Sequence, residues 1–156
     1  MKNSNQPDDI DRRLLRLLQT DAGLSQSEIA ERTGLSTASC WRRVQSLENQ
    51  GVLGKTVRLV NPQSVDCDVN VLCNVRMKSH AASDRQKFEE FIAGCTTVME
   101  CYSLCGEWDY LLRIVVSGVT AYEHLLMREI LAHPSVATAA SHFALSQIKY
   151  TTALPI

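Results

Sequence analysis

The spacing of apolar residues changes once along this chain, and that change limits the folds open to it. Through the stretch Ile10–Leu18 apolar residues recur at helical intervals. From Val69 onward they alternate with polar residues, as in a half-buried strand. Between the two patterns, residues 61–64 (Asn-Pro-Gln-Ser) are typical of a linker. The sequence therefore predicts two domains, residues 1–60 and residues 61–156.

Two helices joined by a tight turn are predicted in the first domain. Ser25 and Glu28 form a capping box, in which each side chain binds a free backbone N–H at the start of a helix. Gly34 is suited to a left-handed C-cap, and Ser36 can cap the helix that follows. A short helix, a tight turn and a longer helix are the geometry of a helix-turn-helix, whose second helix lies in the major groove of DNA. Residues 52–60 combine glycine with β-branched residues, which predicts a short hairpin, the wing.

The charge distribution agrees with a DNA-binding first domain. Residues 1–60 hold nine Lys and Arg against seven Asp and Glu, whereas residues 61–156 hold seven against ten. A basic patch on a near-neutral protein is what a phosphate-contacting surface requires. The polar and basic residues of the recognition helix and wing form the predicted surface: Ser36, Thr37, Ser39, Arg42, Arg43, Gln45, Ser46, Lys55 and Arg58. We expect Trp41 to pack against the first helix rather than to contact DNA. For the domain as a whole, the alternative is a three-helix unit that does not bind DNA.

The second domain is predicted to be a ferredoxin-like sandwich. Its elements follow the order βαββαβ, with strands near residues 69–77, 98–104, 110–116 and 136–145. Two helices cover one face of such a sheet, and the other face meets solvent or another subunit. Because apolar residues occur on both faces of the first strand, we expect a second subunit. The fold class is thus α+β, a winged helix-turn-helix joined to a βαββαβ sandwich.

Several function classes find no support in the residues. We see no paired nucleophile and base, no phosphate loop and no metal-ligand spacing, and therefore predict no enzyme, cofactor or metal site. An enzyme on the ferredoxin-like domain and a ligand-binding or assembly module without DNA are the alternatives. No apolar run is long enough for a bilayer and Met1 to Asp9 is polar, so we expect a cytoplasmic protein with reduced thiols and no membrane partner. On one strand Cys101 and Cys105 would be about 13 Å apart, too far for a disulfide within one chain unless the chain bends sharply near Gly106 or a neighbouring subunit takes part.

Four segments resemble one known family. They are Ile10–Leu15 (IDRRLL), Leu35–Glu48 (LSTASCWRRVQSLE), Glu100–Leu112 (ECYSLCGEWDYLL) and Gln147–Pro155 (QIKYTTALP). With these segments the chain resembles the Lrp/AsnC, or feast/famine, transcription regulators from Ile10 to Pro155. The run Cys40–Arg43 and the last segment are most similar to the branch that includes regulators of cysteine detoxification. Family members often have proline where this chain has Thr37 or Ser39, which leaves the details of base reading open.

The resemblance implies a transcription regulator that forms homodimers through its second domain and often octamers. A dimer would bind double-stranded DNA at an imperfect palindrome. The resemblance also implies a small amino-acid effector, first cysteine and then leucine or methionine, bound at a subunit boundary. It would modulate operator binding or assembly. The implied effector residues lie around the Gly106 turn and on two later elements: Ser103, Leu104, Cys105, Gly106, Glu107, Trp108, Asp109, Tyr122, Ala140, Ser141, His142 and Phe143. Asp109 either binds the ligand's ammonium group or only stabilises the turn.

Overall fold

The computed structural model describes residues 6–156, so the first five residues of the polar start lie outside it. The chain divides into two units. The head unit consists of the described residues up to Arg58 together with Lys149–Ile156, and the sheet unit is Leu59–Ile148.

Three helices build the head unit, and their ends are set by the residues that the sequence indicated. They are α1 (Asp9–Leu18), α2 (Gln26–Thr33) and α3 (Thr37–Asn49). Ser25 and Glu28 form the predicted capping box at the start of α2, and Ser36 caps α3. Gly34 ends α2 with a φ of 71°, a left-handed conformation that favours glycine. The caps are confirmed, and the helices enclose a small apolar core: Leu14, Ile29, Ala30 and Cys40.

The predicted wing hairpin is not formed. Residues 54–60 form neither helix nor strand, and no strand pairs with them among the described residues. The apolar side chains of this segment are exposed, with Val57 at 71% and Leu59 at 66%. A two-stranded hairpin is marginally stable in water unless its side chains pack against something else. Without such packing, the β-branched residues of the segment do not produce a hairpin.

The end of the chain belongs to the head unit, although the sequence predicted that all of residues 61–156 form one domain. Residues 149–156, the tail segment, lie against α1. The side-chain amide of Gln19 donates to the carbonyl of Leu154 at 2.8 Å and accepts from the N–H of Leu154 at 2.9 Å. Arg16 donates to the main-chain oxygen of Ile156. These bonds attach the end of the tail segment to α1, and the second unit ends at Ile148.

The sheet unit has the predicted βαββαβ order. Its strands are β1 (Val69–Met77), β2 (Val98–Ser103), β3 (Tyr110–Val116) and β4 (Val136–Phe143). Its helices are α4 (Ala82–Gly94) and α5 (Val119–Leu125), and a π-helical turn, Leu126–Ile130, continues α5. The strands pair antiparallel in the order β2-β3-β1-β4. This is the ferredoxin-like topology, so the predicted fold class is confirmed.

One face of the sheet carries the core and the other is uncovered in the single chain. Val71, Cys73 and Val75 of β1 are fully buried beside Leu112 and Ile114 of β3. Phe88 and Ile92 of α4 and Tyr122 and Leu125 of α5 pack on the same side. Alternate residues point to the other face, which we call the open face: Asn70, Leu72, Asn74, Arg76, Leu111, Arg113 and Val115. No helix of the described chain is long and apolar enough to cross a membrane.

Candidate DNA-binding and effector sites

The predicted DNA-binding residues of α3 divide between its exposed and its inner side. A helix turns 100° per residue, so the buried Cys40 and Leu47 fix which side of α3 faces the core. Arg42 and Ser46 are exposed on the opposite half, and Thr37 is exposed at the first turn of the helix, closer to the core side. Ser36 is exposed at the N-cap, where its hydroxyl accepts from the N–H of Ser39, and Ser39 itself is half-buried. Gln45 is half-buried and donates to Glu48 at 2.8 Å.

Arg43 faces the inside of the head unit rather than its surface. Its Nη1 donates to Asp11 at 2.7 Å and to Asp8 at 2.9 Å, and 27% of its side chain is exposed. The hydrogen bond to Asp11, and then that to Asp8, raises the pKa of Arg43. The N–H of Asp11 and the guanidinium of Arg43 lower the pKa of Asp8. Arg43 is therefore already bound to two carboxylates, and of the predicted basic residues on α3 Arg42 alone is exposed.

Trp41 is exposed to 56%, so our expectation that it packs against α1 was wrong. It follows the buried Cys40, and the next residue on a helix points 100° away. Trp41 thus lies with Arg42 on the outer half of α3. An indole offers a large apolar surface and one N–H donor, which suits it to the edge of a base or to a sugar.

Lys55 and Arg58 lie in residues 54–60, the irregular segment that follows α3. Both side chains are exposed, and no ion pair of the described residues involves either of them. No hairpin holds these two cations, and no hydrogen bond or ion pair of the described residues links their side chains to α3. Their contact with DNA remains a prediction based on their charge.

The loop between β2 and β3 holds most of the predicted effector residues. Gly106 has a φ of 134°, a conformation that residues with a Cβ rarely adopt. The N–H of Leu104 donates to the carbonyl of Asp109 at 2.8 Å, which closes the loop. Ser103, Cys105 and Glu107 are also exposed, and Trp108 is half-buried. The loop therefore presents polar backbone at an exposed turn, as a site for a small zwitterion requires.

Asp109 stabilises the end of the sheet. Its carboxylate accepts from the N–H of Met77 at 2.7 Å and lies 3.3 Å from Nδ1 of His80. Its own N–H donates to the carbonyl of Val75 at 3.0 Å. Of the two interpretations that the sequence left open, the stabilising one thus has direct contacts in the structure. The carboxylate keeps lone pairs for a ligand, because each oxygen can accept more than one hydrogen bond.

Arg76 and His80 contact this loop and were missed from the sequence. The guanidinium of Arg76 donates to the carbonyl of Glu107 at 3.1 Å and to its carboxylate at 3.0 Å, and it lies 5.1 Å from the ring centroid of Trp108. Arg76 precedes Glu107 by 31 positions and His80 precedes Asp109 by 29, so spacing could not reveal them. A basic residue near the end of a strand beside an acidic loop was the one available signal.

The remaining predicted effector residues form a second group on β4 and α5. Tyr122 hydrogen-bonds to Ser141, and its ring centroid lies 5.4 Å from that of Phe143. Ser141 pairs with Cys73, whereas the Asp109 loop binds Met77, four residues further along β1. Four residues of strand span about 13 Å, so one chain does not bring the two groups into a single site. Ala140 and His142 alternate with Ser141 and therefore point to the open face.

The cysteines show no metal or disulfide chemistry in the described residues. Cys101 and Cys105 are exposed free thiols, and no group of three potential metal ligands occurs in that part of the chain. Burial raises the pKa of Cys101 and, more deeply in the sheet unit, that of Cys73. A raised pKa keeps a thiol protonated at neutral pH and lowers its reactivity.

Comparison with known proteins gives one consistent result. The Lrp/AsnC ligand binding domain matches residues 70–154, and a winged helix-turn-helix DNA-binding domain matches residues 7–53. The DNA-binding transcriptional activator DecR of Escherichia coli (strain K12) is 34% identical over 149 residues, which cover 96% of this chain and 98% of DecR.

Two solved structures are similar over nearly their whole length. A transcriptional regulator from Neisseria meningitidis, solved as its L-Met complex, has a TM-score of 0.91 and 33% identity, covering 96% of this chain and 97% of that one. An AsnC family transcriptional regulator from Agrobacterium tumefaciens has a TM-score of 0.90 and 40% identity, covering 95% and 96%. Together with the head unit and the ferredoxin-like sheet, these matches show that the chain belongs to the Lrp/AsnC family of DNA-binding transcription regulators, that it carries the family's ligand-binding domain, and that it is not an enzyme.

Proposed function

We propose that this chain binds an imperfect DNA palindrome as a dimer and that a small amino acid modulates its operator binding or assembly. The observation that carries the DNA part is the outer half of α3, where Arg42 and Ser46 are exposed, with Thr37 exposed at the start of the helix. Arginine can bind the O6 and N7 atoms of guanine, and hydroxyl groups can bind bases or phosphates. The exposed Lys55 and Arg58 supply charge for the phosphate backbone.

The open face supports dimerisation. Leu72 is 40% exposed there, and Leu111 and Val115 lie beside it. Next to these apolar residues, Arg113 donates to Glu100 at 2.7 Å and to Asn70 at 3.3 Å, and Tyr102 donates to Glu100 at 2.7 Å. An apolar centre beside internally paired charges suits a twofold interface between identical subunits, because no charge has to be buried unpaired. Further assembly to an octamer is part of this proposal.

Selection from a random-sequence duplex library tests the DNA part. The enriched duplexes should contain two related half-sites whose centres are about one helical turn, or a multiple of it, apart. Arg42→Ala should weaken binding by about 1–3 kcal/mol at one base position, or flatten the log–log salt slope by about 0.9 if the contact is to a phosphate. Arg128→Ala, an exposed arginine of the sheet unit, is the matched control. A library from which nothing is enriched would rule out sequence-specific binding.

For the effector, we propose the exposed turn around Gly106, completed at a subunit boundary. An α-amino acid carries one cation and one anion, and the turn combines the Asp109 carboxylate with the exposed backbone around Gly106. The regulator from Neisseria meningitidis was solved as its L-Met complex, which supports methionine as a ligand of this class. Cysteine and leucine are the competing candidates.

A thermal-shift screen of the amino acids, followed by calorimetry, tests the effector part. A ligand at about 100 times its dissociation constant stabilises the folded protein by roughly 2.7 kcal/mol. Asp109→Asn keeps an oxygen acceptor for the N–H of Met77 and removes the charge, so it should weaken amino-acid binding without loosening the end of the sheet. Asp68→Asn, at an exposed position, is the control. The proposal fails if no amino acid binds at millimolar concentration, or if Asp109→Asn binds as tightly as the wild type.

A further inference from the structure

Of the two basic residues of α3, Arg43 is the one that forms ion pairs within the head unit. It lies three residues after the buried Cys40 and four before the buried Leu47, so the helical repeat places it at the edge of the inner side of α3. Its Nη1 reaches Asp11, of which 17% is exposed, and Asp8. These partners precede it by 32 and 35 residues and belong to the start of α1.

The two carboxylates are themselves fixed by the start of α1. Oδ1 of Asp8 accepts from the N–H of Asp11 at 2.7 Å, and Oδ2 of Asp11 accepts from the N–H of Asp8 at 3.1 Å. The other oxygen of each carboxylate accepts from Arg43. Each of the four oxygens therefore has one partner, and the arginine is held by a capping box rather than by flexible side chains. We call these three residues the Asp8–Asp11–Arg43 clamp.

The clamp is a poor surface for DNA. Two carboxylates and one guanidinium leave a local charge of one negative unit, which repels phosphate. To contact DNA, Arg43 would have to leave both carboxylates, and Asp11, the more buried of the two, would then lose its cationic partner.

The clamp does, however, fix α3. The apolar core of the head unit is small, and Cys40 and Leu47 are the two buried residues of α3. A polar link from α3 to the start of α1 adds a directional constraint that apolar contacts lack. Arg42 directly precedes Arg43 and points 100° away from it round the helix. A contact between Arg42 and a base requires its side chain to leave α3 within about 10–20° of the productive direction.

We propose that Arg43 is a positioning residue for DNA recognition: by holding α3 against Asp8 and Asp11 it sets the direction of Arg42, and it makes no contact with DNA itself. This inference rests on the proposed sequence-specific binding. It predicts that Asp11, an acidic residue, is needed for specific binding to DNA.

The test compares Arg43→Met, Asp11→Asn and Arg42→Met, using the duplex that the wild-type protein enriches from a random library and a scrambled duplex of the same composition. Binding is measured well below the unfolding midpoint of each variant, so that the folded fraction is constant. Arg43→Met and Asp11→Asn should each reduce the preference for the enriched duplex by about tenfold or more, as expected for a misaligned base contact. Their salt slopes should equal that of the wild type, because no phosphate contact is lost.

The sign of the Asp11→Asn effect separates the two roles of Arg43. If Arg43 contacted DNA, removing the negative charge of Asp11 would free it and tighten binding. If Arg43 acts through Asp11, the same change weakens specific binding, and adding Arg43→Met to it causes little further loss. Arg43→Lys keeps the charge and should restore part of the preference. If Arg43→Met does not fold, Asp11→Asn and Arg43→Lys carry the test.

Two results would overturn the inference. One is a salt slope for Arg43→Met that falls by about 0.9 while binding to both duplexes weakens equally. The other is tighter or unchanged specific binding by Asp11→Asn. A wild-type protein that enriches no duplex would contradict the proposed function and, with it, this inference.

Discussion

Neighbouring residues of α3 have different surroundings, and the helical repeat explains much of the difference. Arg42 is exposed, Arg43 is bound to Asp8 and Asp11, and Trp41 projects from the outer half of the helix. The spacing from Cys40 could have placed all three. The partners of Arg43 could not be predicted in the same way, because they depend on how α1 packs against α3 and lie more than 30 residues away.

The exposure of Trp41 predicts a role in binding rather than in folding. Trp41→Ala should change the free energy of unfolding by no more than about 0.5 kcal/mol, as is usual for an exposed position. It should weaken binding to the enriched duplex by about 1 kcal/mol or more, since apolar contact with base edges contributes to recognition. Urea denaturation and fluorescence anisotropy measure the two effects.

Met127→Ala is a suitable control for Trp41, because Met127 is also 56% exposed but lies on the sheet unit. It should leave both quantities unchanged. A Trp41→Ala protein that unfolds much more easily, yet binds DNA normally once folded, would mean that the indole packs in solution.

Among the helices and strands, features set by nearby residues were predicted correctly, and the feature that depends on packing against another segment was not. The helix caps depend on residues within four positions of each other, and Ser25, Gly34 and Ser36 act as the sequence indicated. The strands follow from alternation, since the core of the sheet is buried on one face only. The wing was predicted from composition alone, and the segment lacks the packing that a hairpin needs.

Acid should destabilise the head unit through its helix caps. The pKa of Asp8 is lowered by the N–H of Asp11 and by Arg43, and that of Glu28 by the hydroxyl and N–H of Ser25. A carboxyl whose pKa is lower in the folded than in the unfolded chain gives stability that is full above its unfolded pKa and is lost as the pH falls through its folded pKa. We expect a constant unfolding midpoint from about pH 7 to 5 and a decline below about pH 4.

Asp8→Asn isolates this contribution. Asparagine is as good an N-cap as aspartate but does not ionise, so the variant should lose less stability between pH 5 and 3 than the wild type. Circular dichroism at each pH gives the midpoints. Equal losses for the two proteins would show that Asp8 is not part of the acid transition, which would then be due to other groups such as Glu100, whose pKa is also lowered.

The open face predicts how the sheet unit associates. Leu72→Asp places a second carboxylate beside Arg113, which already binds Glu100, and burying the added charge in an interface would cost several kcal/mol. Sedimentation velocity should show a shift from dimer toward monomer. Val119→Asp adds the same charge at the start of α5, on the helical side, and should remain dimeric. Dimers of normal affinity from Leu72→Asp would exclude the open face as the interface.

At the scale of the whole molecule, the chain passes between its two units twice, once after Arg58 and once before Lys149. The second passage could not be predicted, because the tail segment has no regular periodicity and its contacts with Gln19 and Arg16 span 135 and 140 residues. The geometry of the predicted effector site could not be predicted for a similar reason. Its two groups of residues lie apart in one chain and form a single site only if another subunit contributes.

Gln19→Ala tests the attachment of the tail segment. It removes two hydrogen bonds to the backbone of Leu154, each of which is worth about 0.5–1.5 kcal/mol when shielded from water and less when exposed. We expect a loss of about 1 kcal/mol in the stability of the head unit and faster proteolysis of residues 149–156. Gln26→Ala, on the exposed start of α2, is the control. Unchanged proteolysis would indicate that the tail segment is held by other contacts.

The position of the tail segment also sets an order of events during protein synthesis. The ribosome makes α1, α2 and α3 first, but the residues that bind Gln19 and Arg16 emerge only after all of Leu59–Ile148. The sheet unit can therefore fold, and begin to associate, on a nascent chain whose head unit still lacks its last segment. With the proposed pairing through the open face, two chains can thus associate before either head unit is complete.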